Sequence, residues 1–265
     1  MKSLGDTLEA IYRTFHHPRY ISPDPLEVVL SQPPGLDREF RALVCASFAL
    51  GRVHSILAAC QNILDRIGSV SELVLLSDDE IHERCQGFVY RFFTTNEVVR
   101  FFCSVRDLYI QHGSIDNACR LGVDAVRGTD MPPAIGALRY LAGRLRNEPN
   151  SLQSIMIPNP DGSSALKRLH LFLRWMVRTD EIDPGGFTCL GPADLFVPVD
   201  VHMHRVAYSL SMTRRKSVDA ETCRQITACL RRFCPEDPVR YDFSLTRIGI
   251  HPAGKAIMER EIMEI

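Results

Sequence analysis

The chain has no excess of either charge, no long apolar run and no paired arrangement of cysteines, and each absence removes a class of function. Lys and Arg number 31 against 32 Asp and Glu, a net charge of −1. No global field therefore draws the protein to nucleic acid or to an anionic membrane, and a polyanionic partner needs a local basic patch. No stretch reaches the ~20 apolar residues that span a bilayer. Asp6, Glu9 and Arg13 interrupt the first twenty residues, which do not read as a signal peptide. The nine cysteines (Cys45, Cys60, Cys85, Cys103, Cys119, Cys189, Cys223, Cys229, Cys234) are odd in number, scattered and set in apolar helical patterns. That suits buried free thiols in a reducing compartment, and the cytoplasm is the expected address. Strand alternation between hairpin turns is also absent, as are repeats and low-complexity tracts.

What is present is helical periodicity. Leu4, Leu8, Ile11, Tyr12 and Phe15 mark one helix face. A Pro-rich connector covers 18–34, with Asp24-Pro25 a turn or helix start. Asp37 is placed to cap the next helix, which carries Phe40 to Leu50 and ends at Gly51; another runs from Val53 to Ile67 and stops at Gly68. Further helices are expected over about 89–110, 115–123, 133–145, 164–177, 201–210, 220–233 and 238–248. Asp237-Pro238 supplies a cap and a first-turn proline for the last. The fold class is all-α, one domain over 1–265, with a break near 147–162 where Pro149, Pro158 and Pro160 fall.

Two segments stand out, SSALKRLHLFLRWMVR from Ser163 to Arg178 and VPVDVHMHRVAYSLSMTRRK from Val197 to Lys216. With YRF at Tyr90 to Phe92 and DPVRYDFSLTRIGI from Asp237, they resemble an uncharacterised bacterial family. That family is in turn remotely similar to the helix-hairpin-helix DNA glycosylases. The spacing of the two segments is closest to the archaeal 8-oxoguanine glycosylases. The resemblance implies two helical subdomains with a cleft between them, and chemistry in 163–216. Lys167 matches the family's lysine, and Asp200 in Val199-Asp200-Val201-His202 matches its aspartate. Pro160-Asp161-Gly162-Ser163-Ser164 stands where the family has a glycine-x-glycine hairpin. Cys223, Cys229 and Cys234 do not fit the iron–sulfur spacing of the endonuclease III branch, so no cofactor and no metal are expected.

The implied activity is excision of a damaged base, an oxidised purine for example, with or without a lyase step. A lysine amine attacks a sugar carbon only when neutral, and a free lysine of pKa ~10.4 is neutral about four times in ten thousand at pH 7. The first turn of a helix, where the dipole disfavours a cation, suits such a lysine. Asp200 can take its proton or offset the cationic sugar, and it stands where a helix N-cap belongs. Taken alone, Lys167 is better read as a solvated helix lysine and Asp200 as a simple cap; their joint occurrence carries the catalytic reading.

Phosphate contacts are expected from Ser163, Ser164, Arg168, Arg174, Arg205 and the Arg214-Arg215-Lys216 cluster. A base pocket would draw on His202, Tyr241, Asp242 and Phe243. Trp175, the only tryptophan, reads as core. The expected partner is DNA, bound by a monomer, with no membrane contact. Two rivals differ in class. Asp200, His202 and His204 would share a face and bind a metal if their segment were a strand, as in a metal-dependent hydrolase, whereas a helix separates them. A non-catalytic nucleic-acid-binding scaffold is the other.

Overall fold

A computed structural model describes residues 3–146 and 156–250. Among the described residues there are thirteen α-helices, two single-turn 3₁₀ helices and no sheet, only isolated bridges such as Ser164 to Asp219. The helices are α1 (Leu4–Phe15), α2 (Leu26–Leu30), α3 (Leu36–Phe48), α4 (Val53–Ile67), α5 (Val70–Leu73), α6 (Asp78–Cys85), α7 (Thr95–His112), α8 (Ile115–Ala125), α9 (Pro133–Leu145), α10 (Lys167–Val177), α11 (Val201–Ser209), α12 (Ala220–Arg231) and α13 (Asp242–Ile250). The fold is all-α, as the periodicity implies. No helix among the described residues is long and apolar enough to cross a membrane.

Local signals set many of the boundaries. Ser3, Ser69, Ser77 and Thr94 each begin a helix with a reciprocal capping box to Asp6, Glu72, Glu80 and Glu97. Three expected starts are displaced by longer-range contacts. Asp37 does not cap α3; its Oδ1 accepts from the Val70 N–H at the start of α5, 2.7 Å away. The helix expected from Val89 begins at Thr95, because Tyr90 and Phe93 exchange backbone hydrogen bonds in a tight turn with Arg91 at φ 55°. The helix expected from Pro238 begins at Asp242, because the Asp237 carboxylate is taken by Arg178. Of the expected break at 147–162, residues 147–155 lie outside the described residues.

Helix α3 is buried along most of its length and packs against α2, α4 and α10. Helix α13 packs against both α11 and α1, which joins the first and last described helices. The closest pairing is α8 on α9, where two glycines face each other. A Cβ added at Gly136 would lie 2.5 Å from the Gly122 carbonyl oxygen, and one at Gly122 would lie 2.2 Å from that of Gly136. Both obstacles are backbone and cannot swing away.

Gly136→Ala should therefore destabilise the protein by about 1–3 kcal/mol through overpacking. Gly143→Ala, on the same helix with nothing within 4 Å of the added carbon, should be neutral or stabilising by up to ~1 kcal/mol from helix propensity. Urea denaturation of the two variants checks this, and equal midpoints would refute the close-approach account.

Candidate active site

A turn before α10 places the lysine. Leu166 occupies the left-handed region at φ 51°, a conformation costly for a residue with a Cβ. Its carbonyl accepts the first bond of the helix, from His170 N at 3.0 Å. Lys167, Leu171 and Arg174 then follow at i, i+4 and i+7, one face of α10. That stripe lines a cavity of about 1020 Å³. The other walls come from the connector around Arg19 to Pro25, from the corner between α3 and α4, from the start of α11 and from α13.

Asp200 enters the same cavity from the N-terminus of α11. Its Oδ1 accepts from the backbone N–H groups of His202 and Met203, both at 2.9 Å, which is N-capping. Its Oδ2 lies 4.0 Å from Lys167 Nζ, with each side chain 29% exposed. One oxygen thus holds the helix while the other faces the amine. The pair is sheltered yet reachable from solvent.

Beneath the pair lies a buried ion network. Arg174 donates from Nε and Nη2 to Asp183 Oδ1 at 3.1 and 2.8 Å, and from Nη1 to Asp242 Oδ2. Arg178 donates to Asp183, to Asp237 and to Asp180, which also meets His16 Nε2 at 3.0 Å. Burial opposes the charge on both arginines, yet the surrounding carboxylates hold them above the ordinary arginine range. For Asp242 burial wins: its carboxyl is raised above the usual range, with Arg174 opposing and the charge of nearby Asp200 adding. Asp242 Oδ1 is buried without a hydrogen-bond partner.

The expected phosphate ligands divide. Ser163, Ser164, Arg205, Arg214 and Lys216 are exposed, but none lines the cavity. Arg174 is not a surface contact: it is 4% exposed and saturated by carboxylates. Arg168 is also not a surface contact. Its guanidinium reaches back to the Ser47 carbonyl at the end of α3, over the Phe93 ring, and burial lowers it to about 10. Arg215 is half-buried and paired with Asp219. Three of the four basic residues of 163–178, Arg168, Arg174 and Arg178, thus lock the helix in place.

The expected base-pocket residues divide as well. His202, Asp242 and Phe243 line the cavity, and the buried His202 Nδ1 has no partner. Tyr241 does not line it; its ring is buried and its hydroxyl donates to Glu9. Trp175 is core at 1% exposure and also borders the cavity. His204 donates from Nε2 to the Arg215 carbonyl at 2.8 Å and so does not join Asp200. Among the described residues no three His, Cys, Asp or Glu side chains are grouped to hold a metal. Arg19, Arg52 and Arg247 line the cavity without any local motif to announce them.

Replacing Arg174 by Gln leaves Asp183 and Asp242 buried beside a neutral group and should cost about 3–5 kcal/mol. Arg214→Gln, an exposed change, should stay within about 0.5 kcal/mol. Thermal or denaturant unfolding separates the two, and a tolerated Arg174→Gln would contradict the structural role.

A family described as a protein of unknown function, DUF2400, matches residues 24–251. No curated protein and no solved structure matches the chain. The family match takes in α2 to α13 and all of the cavity wall except Arg19, Tyr20, Ser22 and Pro23. The chain belongs to the DUF2400 family of proteins of unknown function.

Proposed function

We propose that the cavity is the active site of a DNA base-excision glycosylase with a lyase-type lysine. The observation that carries this reading is the approach of Lys167 Nζ to the uncommitted oxygen of Asp200 on the wall of a cavity of about 1020 Å³. In this reading the fold is helix-hairpin-helix glycosylase-like, and the cavity is the cleft between two helical subdomains. The strained residue before Lys167 supports it, since a backbone outlier of this kind persists where the surrounding structure fixes it for a purpose.

The chemistry balances with the groups present. Neutral Lys167 Nζ attacks C1′ of the flipped nucleotide, and the C1′–N bond breaks with its electron pair leaving on the base. The surplus proton of the alkylated amine passes to Asp200 Oδ2, directly or through one water. Before that, the carboxylate offsets positive charge on the sugar. Asp200 returns that proton to O4′ as the sugar ring opens, which gives a Schiff base between Lys167 and C1′, and the departed base anion takes a proton from water. The exposed Ser163, Ser164, Arg205, Arg214 and Lys216 serve as an outer footprint on the phosphate backbone. One monomer is sufficient for this arrangement.

Incubation with damaged duplexes in the presence of borohydride should trap a covalent protein–DNA adduct. Lys167→Gln should abolish the adduct while the protein stays folded, because the lysine stands on the cavity wall and not in the core. Asp200→Asn keeps the capping oxygen, so stability should change little, but turnover should fall by about two orders of magnitude or more. Full turnover in Asp200→Asn, or an adduct in Lys167→Gln, would overturn the assignment. Duplex binding without turnover on any lesion would favour a non-catalytic binding protein.

Binding to duplex should also weaken with salt, at a slope of about −0.9 in log K per log salt for each phosphate neutralised. Arg214→Gln with Lys216→Gln should flatten that slope. A salt-independent affinity would remove the footprint.

A further inference from the structure

The charges on the cavity wall do not cancel. Arg174 is matched by Asp242 and Asp183, Arg247 by Asp24, and Lys167 by Asp200. Two arginines remain. Arg19 lies over the Tyr20 ring at 4.9 Å, and neither it nor Arg52 forms a hydrogen bond or ion pair through its side chain with another described residue. Asp24 does not neutralise them, because its Oδ1 accepts from Leu26 N and its Oδ2 from Arg247.

The corner that carries Arg52 holds more donors. Arg52 is the N-cap residue of α4, a 15-residue helix with no side-chain cap. The first intrahelical bond runs from Ile56 N to Arg52 O at 3.0 Å, so the N–H groups of Val53, His54 and Ser55 precede any partner within the helix. Arg91 leans on the same corner: a Cβ added at Gly51 would lie 2.5 Å from its guanidinium. Arg247 adds a third guanidinium to the cavity wall, 5% exposed, with Nη2 on Asp24 and a buried Nε that has no acceptor. Orphan helix N–H groups beside unpaired guanidinium groups bind phosphate. The cavity volume, at the top of the ~300–1,000 Å³ range for drug-sized ligands, leaves room for a phosphorylated sugar as well as a base.

We infer that Arg52 and Arg19, with the uncapped start of α4, form a phosphate subsite of this cavity, so that its ligand is a nucleotide unit and not a bare base. The subsite rests on the reading above only for the identity of the sugar that faces Lys167. The phosphate can be the end group of a free nucleotide or a diester in a strand, and the two are separable by experiment.

Trp175, the sole tryptophan and a residue that borders the cavity, is a built-in fluorescent reporter. Its emission is followed while the protein is titrated with deoxyguanosine 5′-monophosphate, with deoxyguanosine, and with a deoxytrinucleotide carrying either phosphodiester or uncharged methylphosphonate linkages. The wild-type protein should prefer a phosphorylated probe over its uncharged counterpart by at least about tenfold. Arg52→Gln and Arg19→Gln should each lose most of that preference, while Arg127→Gln, at an exposed pair with Asp124 away from the cavity, keeps it. Preference confined to the monophosphate assigns the subsite to free nucleotides, and preference in the trinucleotide assigns it to a strand. Equal binding of charged and uncharged probes, or an undiminished preference in both cavity variants, would overturn the proposal. No turnover is needed, so a failure of the lysine chemistry leaves this result standing, and a trapped adduct without phosphate preference would remove the subsite alone.

Discussion

The buried network around Arg174 and Arg178 is the constraint on which the site depends. The guanidinium groups of Arg174 in α10 and of Arg178 at its C-cap meet four carboxylates, from Asp180, Asp183, Asp237 and Asp242. Burying that much charge costs several kcal/mol per ion and is tolerable only when the partners are held in good geometry. The consequence is positional. Arg174 fixes α10 to α13 through Asp242, α13 packs on α11, and α11 begins at Asp200. Lys167 stands two turns before Arg174 on the same face of α10. The network therefore sets the register in which amine and carboxylate meet.

Above that floor the cavity divides its polar groups by task. Asp200 spends one oxygen on its own helix and presents the other to Lys167. Asp242 spends one oxygen on Arg174 and has the other buried without a partner. On the far side, the α3–α4 corner and the connector before α2 contribute cations that no carboxylate among the described residues matches. A wall that carries both a paired lysine and carboxylate and unpaired cations suits a ligand that is itself polarised, with a reacting carbon and a phosphate.

Much of the architecture was legible because local signals agree with the tertiary packing. Helices α1, α4 and α9 begin and end where their apolar stripes, glycine stops and prolines place them. The short α5 and α6 are also written in the sequence, as Ser-x-x-Glu at Ser69 and Ser77, but their apolar faces are too brief to register as a period. Elsewhere a distant partner overrides the local signal. Asp37 and Asp237 look like caps for the helices that follow them and are instead claimed by Val70 and Arg178. Of the candidate site, the approach of Lys167 and Asp200 was legible, because they sit in two compact segments. The site was misread at Arg168 and Arg174, since a run of basic residues does not tell which guanidinium groups face inward. It was illegible at Arg19, Arg52 and Arg247, which come from three separate regions of the chain and meet only in the folded protein.

The lysine content makes a decisive measurement simple. The chain has lysine only at positions 2, 167, 216 and 255. A duplex with an abasic site, reduced by borohydride in the presence of the protein, can be digested and its peptide adduct located by mass spectrometry. The account predicts the deoxyribose-derived mass on Lys167. Attachment to Lys216, another lysine or the N-terminal amine, or no adduct at all, would contradict it.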